Sequence, residues 1–551
     1  MVGRVVPVIG TVIWASSLVV TSAGLSKELP RVTQATPHPA PAALFEPGDT
    51  CMVCHNNLVN RAGEDVSIGA DWRASMMANS ARDPYWLAAV RRETMDYPAA
   101  QTEIEDECSV CHMPMTTFPE RAAGRTGRVF DHMPLGRPDD PEAVLAGDGV
   151  SCTVCHQIQP TNLGNSTSFN GGYVIDVSDA PGTRRIFGPF LVDTGRTRVM
   201  QSSTGFVPTQ SVHVQQSELC ATCHTLFTHA MAPGADDARL PEQTPYLEWQ
   251  QSSYQDTMSC QTCHMPVVDY DMPLSQVLGQ PRAGFSRHSF RGGNFFMLRM
   301  LNRYRVELGV RATPQEMTAA IGRTVGHLQE DTATIAVVRA ERAGETLAVD
   351  VDVENLAGHK LPTAYPSRRV WIRLLVRDAS GRVLFESGGV SPTGQIAGND
   401  NDDDASRFES HHTQITTADQ VQIYESVMTD PSGLVTTGLL SGVRYVKDNR
   451  LLPRGMTSAT ATAETAVHGA VEQDPDFGDG RDRVAYRVPI GGGGSGPLTV
   501  SAELWYQPIG YRWAENFRGY DAPETKRFIG YWDAMASESA LTLSTAVITV
   551  R

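Results

Sequence analysis

Cys51-Met52-Val53-Cys54-His55 sets a pattern that the chain repeats as Cys108-Ser109-Val110-Cys111-His112, Cys152-Thr153-Val154-Cys155-His156, Cys220-Ala221-Thr222-Cys223-His224 and Cys260-Gln261-Thr262-Cys263-His264. The chain has 10 cysteines, and these segments use all of them. Two thiols separated by two residues can form thioethers with the two vinyl groups of a haem, while the next residue puts an imidazole under the iron. Zinc and redox sites share the Cys-x-x-Cys pairing, but they do not require a histidine after every pair. The pattern predicts five covalently attached haem c groups. Their attachment points are Cys51, Cys54, Cys108, Cys111, Cys152, Cys155, Cys220, Cys223, Cys260 and Cys263, with His55, His112, His156, His224 and His264 as proximal iron ligands.

Upstream, the apolar run from Val5 to Val20 follows Met1 and Arg4, and Thr21-Ser22-Ala23 offers small residues for cleavage. Residues 1–23 therefore read as a signal peptide or N-terminal anchor, and 24–46, rich in Pro, Ala and Thr, as an extended lead-in. Covalent haem attachment takes place outside the cytoplasm, so the expected location is the periplasm or beyond. No later stretch approaches the roughly 20 apolar residues a membrane span needs.

Residues 47–330 are expected to form the pentahaem domain, with helices at Ile68 to Asn79, Pro84 to Thr94, Asn294 to Arg305 and Pro314 to Gln329. From 331 onward the period changes to two. Strands are expected at Thr334 to Arg339, Thr346 to Val353, Arg369 to Arg377, Val383 to Glu386, Val421 to Met428, Arg483 to Pro489, Leu498 to Tyr506 and Leu541 to Val550. Asp378-Ala379-Ser380-Gly381 reads as a hairpin turn, and the glycines from Gly491 to Gly496 as a loop. The expected class is α+β and multidomain: a mostly irregular and helical, haem-packed N-terminal domain, then an antiparallel β-sandwich-like domain over 331–551 with long insertions.

An electron-transfer haem wants a second strong-field ligand, whereas a haem that reacts with a small molecule needs that position open. The candidate distal ligands are Met77, His132, His213, His229, His288 and His359. A thioether at Met77 would be a softer donor than imidazole and would raise the haem potential. His359, in Gly358-His359-Lys360-Leu361-Pro362-Thr363, would pin the β-region to the haem domain.

Lys plus Arg number 46 and Asp plus Glu 62, a formal charge of -16. Such a surface is a poor match for nucleic acid and favours redox partner proteins with a basic docking face. Asn399 to Asp404 is acidic, and Asp400, Asp402 and Asp404 are candidate calcium ligands, although the segment lacks the spacing of a calcium loop.

Three segments carry a resemblance: Trp72 to Met77 with Asp83-Pro84, Trp249 to Tyr254 leading into Cys260 to Pro266, and His288 with Gly292-Gly293-Asn294. Over roughly residues 50–305 the chain resembles the multihaem group that includes the tetrahaem cytochrome c554 family. Gly358 to Thr363, Lys447 to Gly455 and Tyr506 to Trp513 look like a C-terminal extension of large relatives. The resemblance implies electron transfer through closely packed haems. It also implies two departures, since Met77 and Tyr254 stand where the pattern carries histidine. The preferred reading is extracytoplasmic electron transfer. One alternative is an oxidoreductase acting on a small nitrogen or sulfur compound at one open-site haem, with Tyr254 and Arg287 delivering protons. The other is a β-domain that docks the protein to a membrane-bound or outer-membrane redox complex.

Overall fold

A helix places residues i, i+3 and i+4 on one face, so a helical Cys-x-x-Cys-His segment turns both thiols and the imidazole the same way. In the computed structural model, which describes residues 44–491 and 496–551, the motifs begin, end or form short helices: Gly48–Met52, Gln101–His112, Cys152–Cys155, Ser217–Ala221 and Cys260–His264. The signal segment, nearly all of the lead-in and residues 492–495 of the glycine loop lie outside the described residues.

Between the motifs run longer helices with clear starts. Asp83 accepts the backbone N–H groups of Tyr85 and Trp86 and opens Pro84–Asp96. Thr313 and Glu316 form a capping box at the start of Pro314–Glu330, against which Phe295–Arg303 packs. The helix expected over Ile68 to Asn79 is shorter, Ile68–Arg73, and gives way to turns and a 3-10 turn at Ser80–Arg82. Ser75 donates its hydroxyl to the Trp72 carbonyl, and Asn79 donates to the carbonyls of Arg73 and Ser75, so side chains take over groups that a continuing helix would use.

Beyond residue 331 two sheets face one another. In one, Ala333–Ala343, Thr346–Asn355, Arg481–Pro489 and Gln414–Ile415 lie in that order. In the other, Ile423–Tyr424, Arg369–Arg377, Leu498–Gln507 and Leu541–Val550 follow one another, and Val383–Ser387 pairs with Arg369–Arg377 across the expected turn, where Gly381 has φ +85°. Val349, Val351, Val353, Val484 and Tyr486 of the first sheet share one buried core with Ile372, Leu374, Val376, Val500 and Leu504 of the second. The fold is α+β, with antiparallel pairing throughout the main ladders.

One expectation fails locally. Val421 to Met428 is not one strand: Ile423–Tyr424 pairs with Arg369–Arg377, while Ser426–Thr429 leaves for a small sheet with Val435–Thr436 and Arg444–Asp448. The helix Pro523–Met535 lies in an insertion between the expected strands, and it packs on Pro84–Asp96 with Arg91 paired to Glu524 at 2.9 Å. Among the described residues no helix is long and apolar enough to cross a membrane.

Candidate functional site

A backbone carbonyl can only accept a hydrogen bond, so an imidazole nitrogen facing one must carry the proton. Nδ1–H of His55 donates to the Leu274 carbonyl at 2.6 Å, that of His112 to Ser80 at 3.1 Å, that of His156 to Phe187 at 2.5 Å and that of His264 to Arg291 at 2.5 Å. In all four rings Nε2 keeps its lone pair, the tautomer and orientation a metal-ligating histidine needs. Burial lowers the pKa of each of these rings and of His224, with His112 and His264 brought down to about 4, so the rings stay neutral. Trp86 stacks flat on His112, with centroids 4.3 Å apart.

The motifs also meet one another. The thiols of Cys51 and Cys152, of Cys111 and Cys223, and of Cys220 and Cys260 lie within hydrogen-bonding reach in pairs. Motif one therefore neighbours motif three, and motif four neighbours both two and five. Cys155 lies close enough to Cys223 to feel its charge, which links three to four.

The distal candidates divide. His288 sits with its ring centroid 6.2 Å from that of His156, and His359 sits 6.3 Å from His264, at interplanar angles of 22° and 12°. Nδ1 of each donates to a backbone carbonyl, Ser286 at 3.2 Å and Lys360 at 2.9 Å, which leaves both Nε2 atoms free. His132 is half-buried among Glu120, Asp131, Asp140 and Glu142. His229 ends the exposed edge of the strand Leu226–His229 beside Glu107, the residue before Cys108. Among the described residues neither ring hydrogen-bonds to protein. Met76 packs against the main core, while its half-buried neighbour Met77 accepts the Val150 N–H at its carbonyl at 3.0 Å.

His213 does not fit the expected role. Its Nε2–H donates to the Ile158 carbonyl at 2.8 Å and its Nδ1 accepts from the Ser211 hydroxyl at 2.6 Å, so neither nitrogen has a lone pair for iron. Tyr254 and Arg287 are not free proton donors either. The Tyr254 hydroxyl donates to the Leu356 carbonyl at 3.1 Å, and Arg287 is locked on Asp71 and Glu64. The expected calcium ligands are already engaged: Asp402 in a buried two-pronged pair with Arg369, Asp400 with Arg407, and Asp404 on the N–H and hydroxyl of Ser406.

Sequence reasoning passed over His327, whose ring centroid lies 6.0 Å from that of His264. Nδ1 pairs with Asp331 at 2.9 Å, and that i,i+4 His–Asp spacing at the end of the helix Pro314–Glu330 was the available signal. It also passed over the cluster that holds the His359 loop. Glu248 accepts the Lys360 N–H at 3.0 Å and the Thr363 hydroxyl at 2.5 Å, Lys360 Nζ reaches Asp448 at 2.8 Å, and Arg450 bridges Asp448 and Glu248. All four charged side chains are buried.

No protein-family model matches the chain, and no curated protein matches it by sequence. Among solved structures, a penta-haem cytochrome c552 from Thermochromatium tepidum superposes with a TM-score of 0.51 at 16% identity, covering 93% of this chain and 100% of that one. At that identity the likeness is one of fold.

Proposed function

We propose that the protein carries five covalently attached haem c groups and transfers electrons outside the cytoplasm. The observation that carries this reading is the shared setting of the motif histidines: four of the five give their Nδ1 proton to a backbone carbonyl and keep Nε2 free. The penta-haem neighbour in fold and the residues resembling the cytochrome c554 group support it. The bound groups would supply iron centres that take up and release single electrons, with no bond made to a substrate.

The chain's own residues orient and tune those centres. His156 with His288, and His264 with His359, lie close enough that each pair would hold one haem iron between them. His132, His229 and Met77 are the donors proposed for the other motifs. The neighbour relations among the motifs give a path from one through three to four, with two and five both adjoining four. An acidic surface favours a soluble partner with a basic face, or docking to a membrane-bound redox complex. The engaged state of Tyr254 and Arg287 gives no support to a reactive open site.

Haem content by pyridine haemochrome, with electron paramagnetic resonance of the oxidised protein and carbon monoxide binding to the reduced form, tests the proposal. Five haems per chain, all low-spin and none binding carbon monoxide, is the expected result. Fewer than five, or a stoichiometric high-spin haem that binds carbon monoxide, would overturn it.

A further inference from the structure

The β-region buries a second group of metal-binding side chains that the haem reading does not use. His411, Asp474 and Asp482 are all buried, and one ligand-capable atom from each lies within 4.8 Å of the others. They come from three places: the segment before Gln414–Ile415, the segment after the 3-10 turn Ala470–Gln473, and the second residue of the strand Arg481–Pro489.

The polar groups around them fix one another's orientation. Asn449 donates Nδ2–H to the Ile423 carbonyl at 2.8 Å and accepts the Glu425 N–H at 3.0 Å, so its amide faces one way and presents N–H to His411 Nδ1 at 3.0 Å. Gln422 accepts the His412 N–H at Oε1, which turns its Nε2 toward His411 Nδ1 at 2.8 Å and Asp482 at 3.3 Å. His411 Nδ1 is therefore an acceptor, and its Nε2–H donates to Asp474 at 2.8 Å. A ring in that state is neutral and does not offset the two acids.

The two carboxylates are thus short of positive charge. Asp474 has His411 as its only ion-pair partner among the described residues, and Asp482 Oδ2 takes only the Tyr424 hydroxyl at 2.6 Å and the Gln422 amide. The other oxygen, Asp482 Oδ1, is buried with no hydrogen-bond partner. The exposed Asp476 brings a third carboxyl into hydrogen-bonding reach of Asp474. Buried charges in proteins are paired or coordinate metals, and here no basic side chain supplies the pairing.

We propose that Asp474 and Asp482 hold a calcium ion, with His411 orienting Asp474 through its Nε2–H. Carboxylate oxygens suit calcium better than zinc, which prefers nitrogen and sulfur, and a site without preset octahedral geometry suits it better than magnesium. A histidine that hydrogen-bonds a ligating group fixes that group's direction.

The test uses the full haem-loaded chain, stripped with a chelator and then dialysed against calcium. One calcium per chain by elemental mass spectrometry is expected, together with a melting temperature that rises on calcium addition. Asp482→Asn should lose both. If that variant does not fold, Asp474→Asn should weaken calcium binding at least tenfold by titration. A parent protein that retains no calcium and melts at the same temperature with or without it overturns the proposal. Retention of zinc in place of calcium overturns the oxygen-only ligand set.

Discussion

From residue 333 onward most of the buried apolar side chains join one large cluster, in which Val349, Val351 and Val353 meet Ile372, Leu374 and Val376, and Trp371, Ile396, Val421 and Ile423 form a smaller one. Between residues 44 and 290 they fall mostly into small separate groups: Leu58, Val66, Met272 and Phe285 in one, Met52, Trp72 and Ala78 in another, and Leu44, Phe45, Met115 and Leu145 in a third. The β-region can close its own core. The motif region presents thiols and imidazoles between its clusters, and on the proposed reading the haems complete its apolar interior. The exceptions are instructive, because Tyr85 and Ala88 of Pro84–Asp96 and the helix Phe295–Arg303 belong to the large core. They are the parts of the first half that the second half supports directly.

The largest effect should come from blocking haem attachment. Hydrogen exchange by mass spectrometry of such a chain should show protection lost over most of residues 44–290 and kept in the strands Thr346–Asn355, Arg369–Arg377 and Leu498–Gln507. Equal loss in both regions would break the contrast, and equal retention would remove the haems from the account of stability.

How much of this was legible in the sequence follows the same division. Leu498–Gln507 and Leu541–Val550 fall where the period-two pattern put them, because alternating burial against one core imposes that pattern. Val421 to Met428 misled because its apolar residues serve two different sheets. The attachment motifs were legible because their chemistry is local. The distal candidates were less so: His213 and His288 look alike as isolated histidines, and what separates them is that Ile158 and Ser211 occupy both nitrogens of the first. That information lies in contacts across the chain, as does the pairing that engages Asp400 and Asp402 with arginines.

A second prediction concerns the buried cluster that ties the two regions together at the His359 loop. Asp448→Ala leaves Lys360 and Arg450 buried without the carboxylate between them, and the cost should be about 3–5 kcal/mol in denaturant unfolding. The low-spin signal expected of the proposed His264 and His359 pair should change in the same variant. An unaltered spectrum with reduced stability would show that the cluster joins the regions without positioning the ligand.

A third, smaller effect is a pH dependence at the same seam. Glu93 is buried and accepts the Leu439 N–H at 2.8 Å, and burial, partly countered by Arg92, raises its pKa to about 7. The folded protein then holds this proton more tightly than the unfolded chain does. Its contribution to stability is full below the ordinary glutamate value and is lost as pH rises toward 7. The melting temperature should fall by a few degrees across that window, and Glu93→Gln should flatten the slope. Asp83, raised to about 6 by burial, acts in the same direction and will leave part of the slope in place.

The smallest effect should come from the outer face of the β-region, where Arg373 pairs with Glu386 at 2.6 Å and with Glu503 at 3.2 Å. These side chains are partly exposed, so solvent and salt screen their attraction, and holding long side chains in place costs entropy. Arg373→Ala should change unfolding stability by no more than about 1 kcal/mol, and raising the salt concentration should shrink even that difference. A loss comparable to Asp448→Ala would mean that strand pairing between Arg369–Arg377 and Leu498–Gln507 depends on this charge. The β-region would then be held, like the seam, by polar contacts as much as by the core beneath it.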